Sequence, residues 1–225
     1  MAKVHGEPGE WVRVKGVIMG LLPVFIAFFI AGIAAATVFF DWFITGMTIL
    51  FVSLILGCIG LISGFRRIER HYIGARGEER VSNILSGLSE KYHIFNDFSS
   101  GRHHIDHVVI GPAGVYVVET KFWRGRVTIE DGQILVNGVK PSRPPLKQVQ
   151  CQTQAIKKEL ENLGWKGSVT ALLVFASDSF VSHIAELNGV VVLNSSEIHK
   201  SFATNRIVIQ PEELDRLVCL MESRI

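Results

Sequence analysis

The chain has no charged side chain between Val17 and Phe40, a run of 24 positions, and none between Phe43 and Phe65, another 23. Cysteine is scarce as well. Cys58, Cys151 and Cys219 are odd in number and far apart, one of them inside the second apolar run, which indicates neither a disulfide framework nor a zinc site. Formal net charge is only +2, so the whole-chain balance gives no case for a polyanionic partner, and any such case must come from a local site. Internal repeats and low-complexity tracts are lacking too.

What is present begins with those two runs. Each exceeds the roughly 20 residues that a helix needs to cross a bilayer core. Only Asp41 and Trp42 separate them, so the expectation is a two-helix hairpin through a lipid bilayer, at 17–40 and 43–65, with Trp42 at the interface. Arg13 and Lys15 precede the first run, Arg66, Arg67 and Arg70 follow the second, and the turn carries no Lys or Arg. The positive-inside rule then places residues 1–16, both termini and the soluble domain on the cytoplasmic side of the cell (inner) membrane. Ala34, Ala35 and Ala36 resemble a signal-peptide cleavage site, but the run before them is longer than the usual apolar core of about 7–15 residues. A buried soluble hairpin fits poorly with such uninterrupted apolarity. Gly16, Gly20, Gly32, Gly57, Gly60 and Gly64 offer small surfaces for close helix approach, a route to a homo-oligomer through the hairpin.

Residues 66–225 read as one α/β domain. Ile73, Gly77, Val81, Ile84 and Leu88 recur at helical spacing over Arg67–Leu88, a helix that continues from the second apolar run. Tyr92–Asn96 is a strand candidate. Ile105–Lys121 reads as two β-rich segments around Gly111-Pro112-Ala113-Gly114, and Arg126–Val136 as a hairpin around Asp131-Gly132. Pro141–Pro145 leads into a helix to about Leu163. Val169–Ala176 and Val190–Leu193 have the near-continuous apolarity of strands covered on both faces, and two terminal helices follow. That order predicts a mixed sheet flanked by helices.

A four-residue hairpin loop at 111–114 pairs Ile110 with Val115 and brings Asp106 opposite Glu119. Alternation puts Lys121 on the face of Glu119, with His104 opposite Lys121 and His107 on the other face from Asp106. Opposed like charges are unfavourable, so a cation is expected between them. One solution is Lys121 itself, acting as a neutralising partner. The other is a hard divalent ion such as Mg²⁺, or Mn²⁺, which takes oxygen ligands and needs only one or two carboxylates from the protein. Lys121 could then orient or deprotonate an attacking water and stabilise charge developing on a phosphate.

The strand-turn-strand that carries Asp106 and then Glu119-Thr120-Lys121 resembles the D…ExK signature of the PD-(D/E)xK nuclease superfamily, the restriction-endonuclease-like fold. Gly77-Glu78, Ile105-Asp106-His107, Gly111-Pro112-x-Gly114-Val115, Val118-Glu119-Thr120-Lys121, Gly125 and Pro145-x-x-Gln148 together are similar to the nuclease-related domain (NERD) family, over about residues 74–163. Ile105 stands where a strict motif has proline. The resemblance implies that Asp106 and Glu119 hold the metal ion and that Lys121 serves the attacking water. Glu78 and Gln148 would then come from the flanking helices. Gln150, Gln152 and Gln154 crowd the same helix and read as solvent-facing. Arg102, Arg124, Arg126, Lys140, Arg143 and Lys147 surround the site in sequence and are candidates for phosphate contact.

These readings converge on a membrane-anchored, Mg²⁺-dependent nuclease acting on nucleic acid, with DNA the leading substrate and RNA the alternative. The alternative is a catalytically inactive membrane-anchored module that binds nucleic acid or protein.

Overall fold

A computed structural model describes residues 1–38, 43–180, 184–203 and 207–224. The expected turn at Asp41 and Trp42 lies outside them. The chain divides into two compact units, Glu10–Ala75 on the one hand and Met1–Gly9 with Arg76–Ile225 on the other.

The first unit consists of helix α1, Glu10–Val38, and the larger part of helix α2, Phe43–Ser86. Both are long and apolar enough to cross a membrane. Their apolar side chains face outward, Phe28 and Phe29 each being 73% exposed, the reverse of a helix in a soluble core. The two helices run antiparallel and touch through glycine. A Cβ on Gly64 would lie 2.3 Å from the Gly20 carbonyl oxygen, and one on Gly20 would lie 2.5 Å from Ile68. Only a residue without a side chain lets the backbones approach this closely. Gly16, Gly20, Gly60 and Gly64 are thus occupied by packing within the hairpin, whereas Gly32 faces open space. The helix expected after the second run is the uninterrupted continuation of α2.

The second unit is built on a seven-stranded mixed sheet. Its strands are β1 Lys3–His5, β2 His93–Ser100, β3 His103–Gly111, β4 Gly114–Lys121, β7 Val169–Phe175, β8 Ala185–Leu187 and β9 Val190–Asn194. Their spatial order is β1-β2-β3-β4-β7-β9-β8. β2, β3 and β4 form an antiparallel meander, while β4, β7 and β9 are parallel. A parallel neighbour needs a crossover, and helix α3, Pro145–Asn162, supplies the one from β4 to β7. β5 Val127–Glu130 and β6 Gln133–Val136 form the separate hairpin, with Asp131 and Gly132 both at positive φ, as such a two-residue turn demands.

Two apolar layers sandwich the sheet. One packs Val108, Ile110, Val115, Val117 and Leu173 against Val149, Ile156 and Leu160 of α3 and against Leu214, Leu217 and Met221 of helix α4, Pro211–Glu222. The other packs Val109, Tyr116, Val118, Leu172 and Val174 against Val81 and Leu85 of α2 and against Ile198 and Phe202. The first of the two expected terminal helices is a 3₁₀ turn, Ser195–Ser201. β1 and β8 are edge strands of three residues, too short to show a period of two in sequence. β1 pairs in parallel with β2, Val4 opposite Ile94.

Candidate functional site

The β3–β4 register is the expected one: Ile110 pairs with Val115 and His107 with Val118, and the loop closes more tightly than expected, with Gly111 already opposite Gly114. The ladder stops at His107, one residue short of Asp106. On the other side of β3 the pairing with β2 also skips Asp106, between Asn96–His107 and Phe98–Ile105. Asp97, the residue it would face, has a φ of 56°, a backbone state that Asp tolerates better than most residues. Asp106 therefore sits where β3 has lost its ladder on both edges. Its Oδ2 accepts the Thr120 backbone N–H at 2.7 Å, replacing the missing strand partner. Ile105 shares the layer of Val108 and Ile110, which strict alternation forbids, so the strand changes phase at this carboxylate.

Glu119 and Lys121 lie in a part of β4 held firmly by β7, with Glu119 opposite Leu173 and Lys121 opposite Phe175. Alternation puts them on one face, and Lys121 Nζ donates to Glu119 Oε1. Gln148, in the first turn of α3, binds both: its Nε2 donates to Glu119 Oε1 at 2.6 Å, and its Oε1 accepts from Lys121 Nζ at 3.1 Å. Pro144 and Pro145 set this geometry by starting α3 abruptly, since proline is preorganised for a first helical turn. From the opposite layer, Glu78 of α2 is buried and acts electrostatically on Asp106 and Lys121. Glu79 is only partly buried, in line with the choice of Glu78.

Three carboxylates, Glu78, Asp106 and Glu119, are thus buried together with one ammonium. Burial first, and then the charges of Glu119 and Glu78, push the Asp106 carboxyl well above its usual range, against the lowering effects of Lys121 and the Thr120 N–H. Burial disfavours the charged form of Lys121, but Glu119, Asp106 and Glu78 outweigh it and hold that pKa above its ordinary value. The site carries an excess of negative charge in low dielectric.

All five residues expected at the site are brought together. A sixth was misread. Gln152 is 2% exposed rather than solvent-facing, and its Nε2 donates to Glu119 Oε2 at 2.6 Å and to the His104 carbonyl at 2.8 Å. The signal was available: Gln152 falls three residues after Val149 and four before Ile156, on the buried stripe of α3. His104 is not opposite Lys121, because the ladder ends first; its Nε2 lies 2.6 Å from Asp97 Oδ1. His107 is on the other face, as expected, in a buried network in which Asn96 Oδ1 accepts from His107 Nδ1 at 2.8 Å and from the Ser82 hydroxyl at 3.2 Å. Arg102, Arg124, Arg126, Lys140, Arg143 and Lys147 are exposed.

A mixed sheet that gathers two acids and a lysine from adjoining strands, with one helix contributing from each layer, defines a restriction-endonuclease-like α/β domain preceded by two apolar helices. Residues 73–176 match the family model of the nuclease-related domain, NERD. The match contains every site residue named above and ends one residue past β7. No curated protein and no solved structure matches the chain.

Proposed function

We propose that the chain is a Mg²⁺-dependent nuclease that hydrolyses phosphodiester bonds of DNA from the cytoplasmic face of the cell membrane. The observation that carries this reading is the burial of Asp106 and Glu119 beside Lys121 on elements that hold all three in fixed positions. The donor set fits a hard cation. It is all oxygen, it is over-supplied with negative charge, and Mn²⁺ would suit it equally. The fit survives a count of lone pairs. Among the described residues, Glu119 Oε1 accepts from both Lys121 and Gln148, whereas Oε2 accepts from Gln152 alone, and a carboxylate oxygen has two sites. Thr120 engages one oxygen of Asp106. Asp106 and Glu119 would hold the ion, which when bound supplies Lewis-acid stabilisation of charge on the scissile phosphate.

The chain's own residues do the rest. Lys121 presents an ammonium that can hold a water and offset charge gathering on the phosphoryl oxygens. Gln148 fixes the Lys121–Glu119 pair, and Gln152 fixes the second Glu119 oxygen, so neither carboxylate nor ammonium has to reorganise during attack. Exposed arginines and lysines around the site would contact the phosphate backbone and position the strand without reading its sequence. The two apolar helices, flanked by basic residues at both outer ends, would anchor the domain with both termini in the cytoplasm.

The rival reading is a binding module without turnover, favoured by one observation: Lys121 already neutralises Glu119. Cleavage of end-labelled single-stranded and duplex DNA by the full-length protein in detergent micelles, with and without Mg²⁺, separates the two. Metal-dependent cleavage abolished in Lys121→Ala supports the nuclease. Cleavage unchanged in that variant rejects the mechanism, and metal-independent binding with no cleavage of any substrate supports the module.

A further inference from the structure

His5 on β1, His93 at the start of β2 and Glu222 at the end of α4 are remote in sequence and meet at one place. His5 Nε2 lies 3.2 Å from His93 Nδ1, and His5 Nδ1 lies 3.5 Å from Glu222 Oε1. The two imidazoles stack, with ring centroids 5.4 Å apart and planes 10° from parallel. One ligand atom from each of the three residues falls within 4.8 Å of the other two. We propose that these residues form a second metal site, selective for Zn²⁺, that staples the first strand of the chain to its last helix.

The donor chemistry separates this site from the one at Asp106. Two imidazole nitrogens and one carboxylate oxygen suit a borderline ion rather than Mg²⁺. Zinc bound at about 2.0–2.2 Å to tetrahedral ligands keeps those ligands roughly 3.4 Å apart; the 3.2 and 3.5 Å separations run to different nitrogens of His5, and with one atom from each residue the set lies within 4.8 Å. His5 contributes through one ring nitrogen, so closure requires a rotation of its ring and a small movement of the Glu222 side chain, which is exposed. Both are side-chain adjustments, and the His5 rotation exchanges its stack on Phe95, with centroids 4.6 Å apart, for the metal bond. The fourth position stays open to water. Asp215 is seven residues before Glu222, on the same face of α4, and acts electrostatically on His93. A carboxylate there can fix the orientation of a ligating imidazole. Lys3, opposite His93 in the β1–β2 register, places a positive charge near that imidazole, which the Glu222 carboxylate opposes.

The staple also has something to hold. β1 has three residues and, among the described residues, a single strand neighbour. Beyond it, the Gly6 carbonyl accepts from the Asn96 amide at 3.2 Å. Joining His5 to α4 would lock the leading segment onto the domain that carries the nuclease-like site.

The test is a Zn²⁺ titration of the tag-free, full-length protein in detergent micelles against a chromophoric chelator, with excess Mg²⁺ present to occupy the acidic site. Expected is one Zn²⁺ per chain, weakened at least tenfold in both His5→Gln and Glu222→Gln. Replacement by Co²⁺ should give the visible absorption of a four-coordinate site, lost in the same two variants. No stoichiometric Zn²⁺ binding, or binding unchanged in both variants, would overturn the proposal. An intact circular dichroism spectrum for both variants ensures that lost binding is not lost folding.

Discussion

Replacing Gln152 by Met tests whether the buried amide is part of the site's architecture. The two side chains have similar volume, so the change leaves no large cavity and removes hydrogen bonds only. Gln152 Nε2 donates at 2.6 Å to a Glu119 carboxylate that is 2% exposed and at 2.8 Å to the His104 carbonyl. A hydrogen bond to a charged group contributes about 1.5–3 kcal/mol and a neutral one about 1 kcal/mol. Against this, Gln152 Oε1 is buried without a hydrogen-bond partner among the described residues, and removing it recovers about 1 kcal/mol of desolvation. The net loss is about 1.5–3 kcal/mol, a fall in Tm of about 3–12 °C for a domain of this size. Near-ultraviolet circular dichroism of the full-length protein in micelles follows the melt. Gln150→Met is the control, since Gln150 is exposed and donates to the Asn188 carbonyl at 2.9 Å. Glu119 also loses an anchor, so Mg²⁺ affinity should weaken about tenfold or more. If Gln152→Met melts and binds Mg²⁺ like Gln150→Met, the reasoning fails.

Asp106→Asn keeps the acceptor for the Thr120 N–H but removes a carboxylate whose pKa burial, Glu119 and Glu78 hold high. Each unit of that elevation costs about 1.4 kcal/mol at pH values above it. The variant should therefore melt higher than wild type at pH 8, lose that advantage as pH falls through the raised pKa to the ordinary carboxylate range, and be inactive; a lower Tm at pH 8 would contradict the charge crowding. Burial pushes His107 down to about 3, with Asp97 opposing, so below pH 6.5 the unfolded chain takes up a proton that the folded chain refuses. Stability should fall by about 1.4 kcal/mol between pH 7.5 and 5.5 on this account, and the melting of His107→Gln should lack that part of the slope. Gly111→Ala would place a Cβ 2.2 Å from the Tyr92 ring and should cost about 1–3 kcal/mol through overpacking, measured by the same melt.

The parts of the fold that were legible in the sequence are those with a period. The apolar runs, the β3–β4 hairpin and the stripe of α3 announce themselves through spacing, and the hairpin's register alone brought Asp106, Glu119 and Lys121 together. What escaped were features without a period. β1 has three residues and takes its strand geometry from β2. The αL backbone at Asp97 and the phase change at Asp106 follow from lost ladder bonds on both sides of β3, which no local pattern records. His104 was misplaced because simple alternation was carried past the end of that ladder. Gln152 was misread because glutamine on a helix is ordinarily solvated; its place on the stripe outweighs its polarity once a buried carboxylate needs a donor. The meeting of His5, His93 and Glu222 depends on the sheet order and could not be read from spacing.

The most direct measurement is calorimetric titration of Mg²⁺ or Mn²⁺ into the full-length protein in micelles, comparing wild type with Asp106→Asn and Glu119→Gln. The full chain is required because β1 completes the sheet. The account predicts one ion bound by the wild type and binding lost in both variants. No binding by the wild type, even with DNA present, would contradict it and leave Lys121 as the cation that the two carboxylates require.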